Sequence, residues 1–216
     1  MTIFLKESIG INCSLPKNKD EMITAMICCN QNESQTIYQH GQSVSNHFID
    51  LINHLKGIDL LNDWKMPNWI YDYKDKLIES MHDEEKIKEY TIYHDCGKPY
   101  CRTVDDLGKV HFPNHEIVSS YVWLSIGGDV DVGRLIADDM VIHTATAIEI
   151  EDKLNKWSCQ DAVTLLLAAL AEVHSNSKMF GGIESTSFKM KWKTVDKRGK
   201  QICKFLFKNQ EKGVFC

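Results

Sequence analysis

Histidine and aspartate residues recur along the chain in a pattern that suits a metal site. The adjacent pair His94-Asp95 is preceded by His40 and followed by His111 and His115, which are four residues apart. Imidazole nitrogens and carboxylate oxygens are ligands that borderline and hard divalent metal ions accept in proteins. The chemistry that these residue types predict is hydrolysis by a water molecule that a metal ion activates.

A second pair, Asp139 and His143, has helical spacing. Residues i and i+4 lie on the same face of an α-helix, so the two side chains are expected to point in one direction. The sequence does not separate Asp138 from Asp139, and we prefer Asp139 because of its spacing to His143. We expect His143 to complete the site or to contact phosphate. Glu172 and His174, near the end of an apolar segment, are further candidates.

Two cations follow the His94-Asp95 pair closely. Lys98 can offer a point charge to a phosphate oxygen, and Arg102 can offer a bidentate fork, although a solvated loop arginine explains Arg102 equally well. A cysteine nucleophile at position 96 or 101 is less favoured, because it needs a base and the nearby histidine is better explained as a ligand. We therefore predict a catalytic role for Asp95 and Lys98, and substrate binding by Lys98 and Arg102.

The elements that must position these residues are mostly helices. Apolar residues recur at three- and four-residue spacing, and in a helical bundle the ligands project inward from separate helices to one point. Residues 96–113, with two glycines and two prolines, are predicted to be a loop. The predicted helices cover about 20–30, 36–55, 68–80, 84–95, 114–126, 131–149 and 160–174. The last of these is apolar nearly all round, so we expect it to be central.

The C-terminal segment shows a different period. Residues 188–193 alternate strictly between apolar side chains and lysine, a pattern typical of a half-buried strand. Residues 197–200 then suit a turn, and 202–207 suit a return strand. We therefore predict a helical domain over 1–183 and a basic C-terminal β-hairpin extension over 184–216, which makes the fold class mainly α with a small β-hairpin.

The charge is distributed unevenly. Residues 189–216 contain nine Lys or Arg and two acidic residues, a net charge of +7, whereas the other 188 residues carry -12. A basic segment on an acidic body suggests a polyanionic partner, although a solvated lysine-rich edge would have the same composition.

Length and composition limit the class of protein. A chain of 216 residues that is 43% hydrophobic and 25% charged is expected to form one domain with a small appendage. No apolar run approaches the roughly 18 residues of a membrane span, and the N-terminus lacks the pattern of a secretory signal. The eight cysteines include no CxxC pair, so we expect reduced thiols in a cytoplasmic protein without membrane contact.

The order His40, His94-Asp95, His115, His143 resembles the HD-domain metal-dependent phosphohydrolases over roughly residues 36–180. The resemblance implies an HD-type helical bundle and one or two divalent metal ions (Mn, Fe, Co, Ni, Zn or Mg). The usual late aspartate of the superfamily is missing from the apolar helix, where Glu172 replaces it or Asp139 completes the ligand set instead. The predicted metal ligands are His40, His94, Asp95, His111, His115 and Asp139.

A longer run, HDCGKPYCRTVDDLGKVHFPNHEIVSS (94–120), is similar to the HD module of bacterial end-healing enzymes that join it to a polynucleotide kinase. This resemblance implies removal of 2′,3′-cyclic, 2′- or 3′-phosphates from nucleic acid ends. The sequence has no GxxxxGK[ST], so any kinase or ligase would be a separate protein. The matching residues are His94, Asp95, Lys98, His111, His115 and, less surely, Asp139.

Three functions follow, in order of preference. The first is a metal-dependent phosphohydrolase or phosphodiesterase that acts on RNA or DNA 3′ ends in nucleic acid repair. The second is a nucleotide phosphohydrolase for deoxynucleotides or cyclic nucleotides, which leaves the basic segment unexplained. The third is a degenerate HD domain that binds nucleic acid without turnover.

Overall fold

A computed structural model of the protein describes residues 10–208. The described part is mainly helical, as the apolar spacing predicts, with two short antiparallel strand pairs. None of its helices combines the length and the apolar character that crossing a membrane requires. In chain order, the elements are α1 (Lys19–Cys28), β1 (Asn30–Asn32), β2 (Gln35–Thr36), α2 (Ile37–Leu55), α3 (Asn68–Asp72), α4 (Lys74–Glu79), α5 (Glu84–Tyr93), α6 (Lys98–Cys101), β3 (Thr103–Val104), β4 (Val110–His111), α7 (His115–Ser125), α8 (Val130–Asp138), α9 (Val141–Thr144), α10 (Ala147–Leu154), α11 (Cys159–Ser175), α12 (Thr186–Cys203) and a π-helical turn (Lys204–Lys208).

The chain divides into two compact units. Among the described residues, the first contains 10–43 together with Glu85–Asp139, and the second contains Val44–Glu84 together with 140–208. Helix α2 contributes its first residues to the first unit and the rest to the second. The strand pairs β1–β2 and β3–β4 both belong to the first unit.

Two glycines allow close backbone packing in the first unit. A Cβ atom on Gly41 would lie 2.0 Å from the carbonyl oxygen of Ile92, so α2 can approach α5 only without a side chain there. A Cβ atom on Gly97 would lie 2.2 Å from the backbone nitrogen of Ser119 in α7. The Gly97 N–H also donates a hydrogen bond of 2.8 Å to the Ser119 hydroxyl. These contacts bring α2, α5 and α7 close together.

The second unit is organised around α11. Its apolar residues from Ala162 to Leu170 are buried, which confirms the prediction that this helix is central. A capping box at Ser158 and Asp161 satisfies backbone donors at the start of the helix. Helix α12 packs against α11 within the same unit.

The predicted C-terminal β-hairpin is wrong, because residues 186–203 form helix α12 and the chain continues into the π-helical turn. Phe188 is buried whereas Met190 is 66% exposed, although a strand would place both on one face. The apolar stripe that decides the structure is Phe188, Trp192, Val195, Gly199 and Ile202, which recur every three or four residues. The alternation with lysine extends over six residues only. Residues 209–216 of the predicted extension lie outside the described residues.

The single helix predicted over 131–149 is also wrong. Helix α8 ends at Asp138, α9 is a separate short helix, and Thr146 caps the start of α10 through a capping box with Glu149. Ala145 has an extended backbone, so the helical face does not continue past it. Asp139 and His143 therefore do not lie on one continuous helix, and their i to i+4 spacing does not place them on a common helical face.

Two other segments contain more and shorter elements than predicted. The segment 68–80 forms two short helices that meet at Tyr73. The expected loop over 96–113 contains α6 and the strand pair β3–β4, in which Thr103 pairs with His111.

We predict that Ser185→Ala lowers the free energy of unfolding by about 0.5–2 kcal/mol, since the Ser185 hydroxyl accepts a hydrogen bond from the Phe188 N–H at the start of α12. Denaturant unfolding checks this value. The matched control is Ser187→Ala at an exposed position of the first turn, which should leave stability nearly unchanged. Equal stability of Ser185→Ala and the wild type would contradict a helix that begins here.

Candidate metal centre

A buried carboxylate, Asp95, lies at the centre of the candidate site. Helix α5 ends at Tyr93, so His94 and Asp95 occupy the turn after the helix and can face one point. The Asp95 Oδ2 atom lies 3.4 Å from His94 Nε2 and 3.7 Å from His40 Nε2. The other oxygen, Oδ1, lies 3.6 Å from His115 Nε2. The first unit therefore brings three of the predicted histidine ligands to one carboxylate.

These distances suit ligands of a common ion. They exceed the 2.7–3.2 Å of ordinary N–H···O hydrogen bonds. Two ligands that each lie about 2.0–2.2 Å from one metal ion, at ligand–metal–ligand angles of about 90–120°, are roughly 2.8–3.8 Å apart. All three distances to Asp95 fall within that interval.

The histidine tautomers agree with this interpretation. The Nδ1 atom of His94 lies 2.9 Å from the Thr91 carbonyl oxygen, and that of His115 lies 3.2 Å from the Phe112 carbonyl oxygen. A carbonyl can only accept, so Nδ1–H is the donor in both rings and the Nε2 lone pair points toward Asp95. Histidines that bind metals commonly donate their other ring N–H to a backbone carbonyl in this way.

Lys98 provides a positive charge beside Asp95. Its ammonium nitrogen lies 2.6 Å from Asp95 Oδ2 and 3.1 Å from Gln31 Oε1, in a largely buried position. Burial alone would raise the pKa of Asp95, but the Lys98 ammonium and the neighbouring His94 and His115 side chains outweigh burial and hold the pKa well below its usual range. Asp95 is therefore an ionised carboxylate at neutral pH, as metal binding requires.

Within the first unit, His40 and His94 are buried histidines whose ring nitrogens could bind a metal ion. Within the second unit, the Glu172 carboxylate lies 2.9 Å from His143 Nε2. The residue types do not fix which metal would bind, because imidazole and carboxylate ligands accept several divalent ions. The roles of Glu172 as a ligand and of His143 at the site stay predictions.

Asp139 is the buried member of the Asp138-Asp139 pair. It follows the last residue of α8, and the Tyr90 hydroxyl donates a hydrogen bond of 2.6 Å to its Oδ1 atom. Tyr90 belongs to α5, the helix that precedes His94. The structure thus favours Asp139 over Asp138 as the more enclosed carboxylate, and its role as a ligand stays a prediction.

His111 and His115, which the sequence predicts as ligands together, have different surroundings. His111 lies on the exposed strand β4, where its Nε2 atom is 2.8 Å from the Asp105 carboxylate. His115 begins α7 and faces Asp95. The structure therefore supports His115 and gives His111 another partner.

His174 makes a hydrogen bond through each of its ring nitrogens. Its Nδ1–H donates to the Leu170 carbonyl oxygen at 2.7 Å, and its Nε2 atom accepts from the Lys65 N–H at 3.0 Å. Burial lowers the pKa of His174 to about 4, so the ring is neutral at physiological pH. Both ring nitrogens therefore have hydrogen-bond partners within the second unit, and a site role for His174 stays a prediction.

The thiols near the candidate site are poor nucleophiles. Burial raises the pKa of Cys101 to about 12, and burial together with the Asp95 charge raises the pKa of Cys96 further above its ordinary value. Both residues are therefore protonated at neutral pH, whereas nucleophilic attack needs a thiolate. This agrees with the low rank that the sequence gives to a cysteine mechanism.

Sequence reasoning missed Gln31 and Tyr90. Tyr90 precedes His94 by four residues, so helical spacing offers a signal that could have indicated it. Gln31 lies in the short β1 strand, 67 residues from its partner Lys98, and no local pattern indicates that contact. The remaining predicted residue, Arg102, is exposed directly after α6.

Comparisons of the chain with protein-family models, with curated proteins and with solved structures find no match. Membership of the HD-domain superfamily accordingly stays a prediction, and the proposed function depends on the residues of the candidate centre.

We predict that His115→Ala weakens metal binding strongly while His111→Ala does not. Loss of a group that only orients a metal ligand typically costs 10–100-fold in affinity, so loss of a ligand should cost at least about tenfold. Elemental analysis of the purified proteins and titration with Mn²⁺ or Zn²⁺ measure the effect.

The two histidines form a matched pair from one segment, and circular dichroism checks that both variants keep their helical content. Equal metal affinity of His115→Ala and the wild type would remove His115 from the site. A large loss in His111→Ala would restore the ligand set that the sequence predicts.

Proposed function

We propose that this protein is a metal-dependent phosphohydrolase of the HD-domain type that hydrolyses phosphoester bonds at nucleic acid ends. The observation that carries the proposal is the arrangement around Asp95. Three imidazole Nε2 atoms face this one buried carboxylate at the spacing of ligands that share an ion. Burying several polar and charged groups together is costly, so a cluster of this composition suits a binding site better than a hydrophobic core.

His40, His94, Asp95 and His115 would hold the metal. A divalent ion bound there would lower the pKa of a water molecule toward neutrality and polarise the phosphoryl group. Asp139, the other buried carboxylate that we propose as a ligand, belongs to the same unit. The proposed role of Asp95 is to bind the metal through its two oxygens, which face different histidines.

Lys98 would act on the substrate. Its ammonium group is already next to the Asp95 carboxylate, where a phosphate oxygen would approach. A fixed positive charge beside the phosphoryl oxygens stabilises the negative charge that develops on them during hydrolysis. We propose that Lys98 exchanges its contact with Gln31 for one with the phosphate.

The basic residues of α12 favour a polymeric substrate. The stripe consists of exposed lysines at four- and three-residue spacing: Lys193, Lys197 and Lys200 of α12, and Lys204 at the start of the π-helical turn. Lys200 also pairs with Asp196 on the same helix. A polynucleotide offers several phosphates to such a stripe, whereas a mononucleotide offers one. This supports RNA or DNA with a 2′,3′-cyclic or 3′-phosphate end as the substrate, with any kinase or ligase supplied by another protein.

A phosphatase screen with added divalent metals tests the reaction. Substrates are RNA with a 2′,3′-cyclic phosphate, DNA with a 3′-phosphate and a panel of mononucleotides. We expect metal-dependent turnover that Asp95→Asn and His94→Ala abolish. Lys98→Ala should lower turnover about ten- to a thousandfold while metal content is kept, since one charge contact to a developing oxyanion is worth that much.

The matched control for Lys98 is Lys88→Ala, at an exposed position of α5, which should behave like the wild type. No turnover with any metal and any substrate would refute the enzyme proposal and leave a domain that binds without catalysis. Turnover of mononucleotides alone would favour a nucleotide phosphohydrolase instead.

We further predict that replacing Lys193, Lys197 and Lys204 with Gln flattens the salt dependence of oligonucleotide binding. Each lost phosphate contact should reduce the slope of log K against log salt by about 0.7–0.9. Fluorescence anisotropy with a labelled oligonucleotide, measured over a range of salt concentrations, gives the slope.

The control changes three exposed lysines elsewhere, Lys56, Lys88 and Lys156, to Gln, which removes the same charge without touching the stripe. If the two triple variants have the same salt slope, the stripe is not a nucleic acid contact and the lysines serve solubility only.

A further inference from the structure

An open groove of about 700 Å³ lies in the first unit. The end of α1, the β1–β2 pair and the residues around α6 form its walls, with Cys29, Gln31, Arg102 and Val110 among the lining residues. Pockets that enclose small molecules commonly measure about 300–1,000 Å³, so the groove has the size of a nucleotide site.

One side chain connects the groove to the candidate metal centre. Gln31 lines the groove, and its Oε1 atom accepts a hydrogen bond from Lys98 Nζ, which in turn pairs with Asp95. Arg102 directly follows α6, the helix that begins with Lys98. A ligand in the groove would therefore have its phosphate end next to Lys98.

The lining offers hydrogen-bond donors and apolar contacts together. When Lys98 exchanges its contact with Gln31 for the phosphate, the Gln31 amide can donate to a ligand through its NH₂ group and accept through its oxygen. Among residues 10–208, no carboxylate forms an ion pair with the exposed Arg102 guanidinium. Cys29 and Val110 add apolar surface, on which the face of a planar ring can pack.

The charge of Arg102 is not neutralised by the nearby thiol. Burial raises the pKa of Cys29, although Arg102 and Lys98 act in the opposite direction. The thiol is therefore protonated and neutral at physiological pH. It therefore offers no counter-charge to Arg102.

We propose that this groove holds the terminal nucleoside of the substrate, with its sugar and base between Gln31 and Val110 and its phosphate bound by Arg102 and Lys98. This inference rests on the proposed function, and it specifies that the substrate is recognised through the nucleoside rather than through the phosphate alone. Arg102 is then a binding residue that positions the phosphate by a bidentate contact.

Direct binding tests the groove without the need for turnover. The probe is the analogue of adenosine 3′-phosphate in which a methylene group replaces the bridging oxygen, and methylphosphonate is the same head group without the nucleoside. Calorimetric titration of the purified protein should give a Kd for the nucleoside analogue at least about tenfold below that of methylphosphonate. Arg102→Gln should weaken binding of the analogue about 10- to 100-fold, the loss that corresponds to one charge-assisted hydrogen-bonded contact.

The matched control is Lys109→Gln, which removes a positive charge from the exposed turn between β3 and β4, outside the groove lining, and should change the Kd less than about twofold. Equal Kd values for the analogue and methylphosphonate, or wild-type binding by Arg102→Gln, would overturn the proposal even if the protein hydrolyses phosphoesters. Selective binding that Arg102→Gln abolishes, without turnover of any substrate, would support the groove and refute the hydrolase.

Discussion

The ionised carboxylate of Asp95 sets the main constraint on the first unit. Removing a charged group from water is costly, and a protein interior tolerates it only with close partners of opposite charge or a metal ion. Here the partners come from separate elements: His40 from α2, Lys98 from α6 and His115 from α7. The ionised state of Asp95 therefore depends on how these helices pack, since each helix must come close enough for its side chain to reach the carboxylate.

Two glycines permit this close approach of the helices. Gly41 follows His40 directly, and its lack of a side chain lets α2 approach the backbone at Ile92, two residues before His94. Gly97, two residues after Asp95, does the same for the contact with Ser119 in α7. Each glycine therefore lies next to a residue of the Asp95 cluster: Gly41 is adjacent to His40, and Gly97 lies between Asp95 and Lys98.

Lys98 links the electrostatics to the proposed function. It neutralises part of the Asp95 charge, and its second contact, Gln31, belongs to the wall of the groove. A phosphate that replaces the Gln31 contact would meet the same cation that stabilises Asp95. Lys98 thus contacts Asp95, three residues away in the sequence, and Gln31, 67 residues away, and so lies between the candidate centre and the groove.

The sequence by itself determined the mainly helical class, the central place of α11 and the proximity of His94 to Asp95, because each follows from local spacing of apolar or polar residues. The sequence did not determine α12. The alternation with lysine suits a strand, whereas the longer apolar stripe of Phe188, Val195 and Ile202 suits a helix. Packing of that stripe against a neighbouring helix decides between the two structures. The sequence pattern likewise does not distinguish His111 from His115 as a ligand candidate. The tertiary structure separated them, because the pairing of β3 with β4 leaves His111 on the surface beside Asp105, while the start of α7 turns His115 toward a carboxylate twenty residues earlier in the chain.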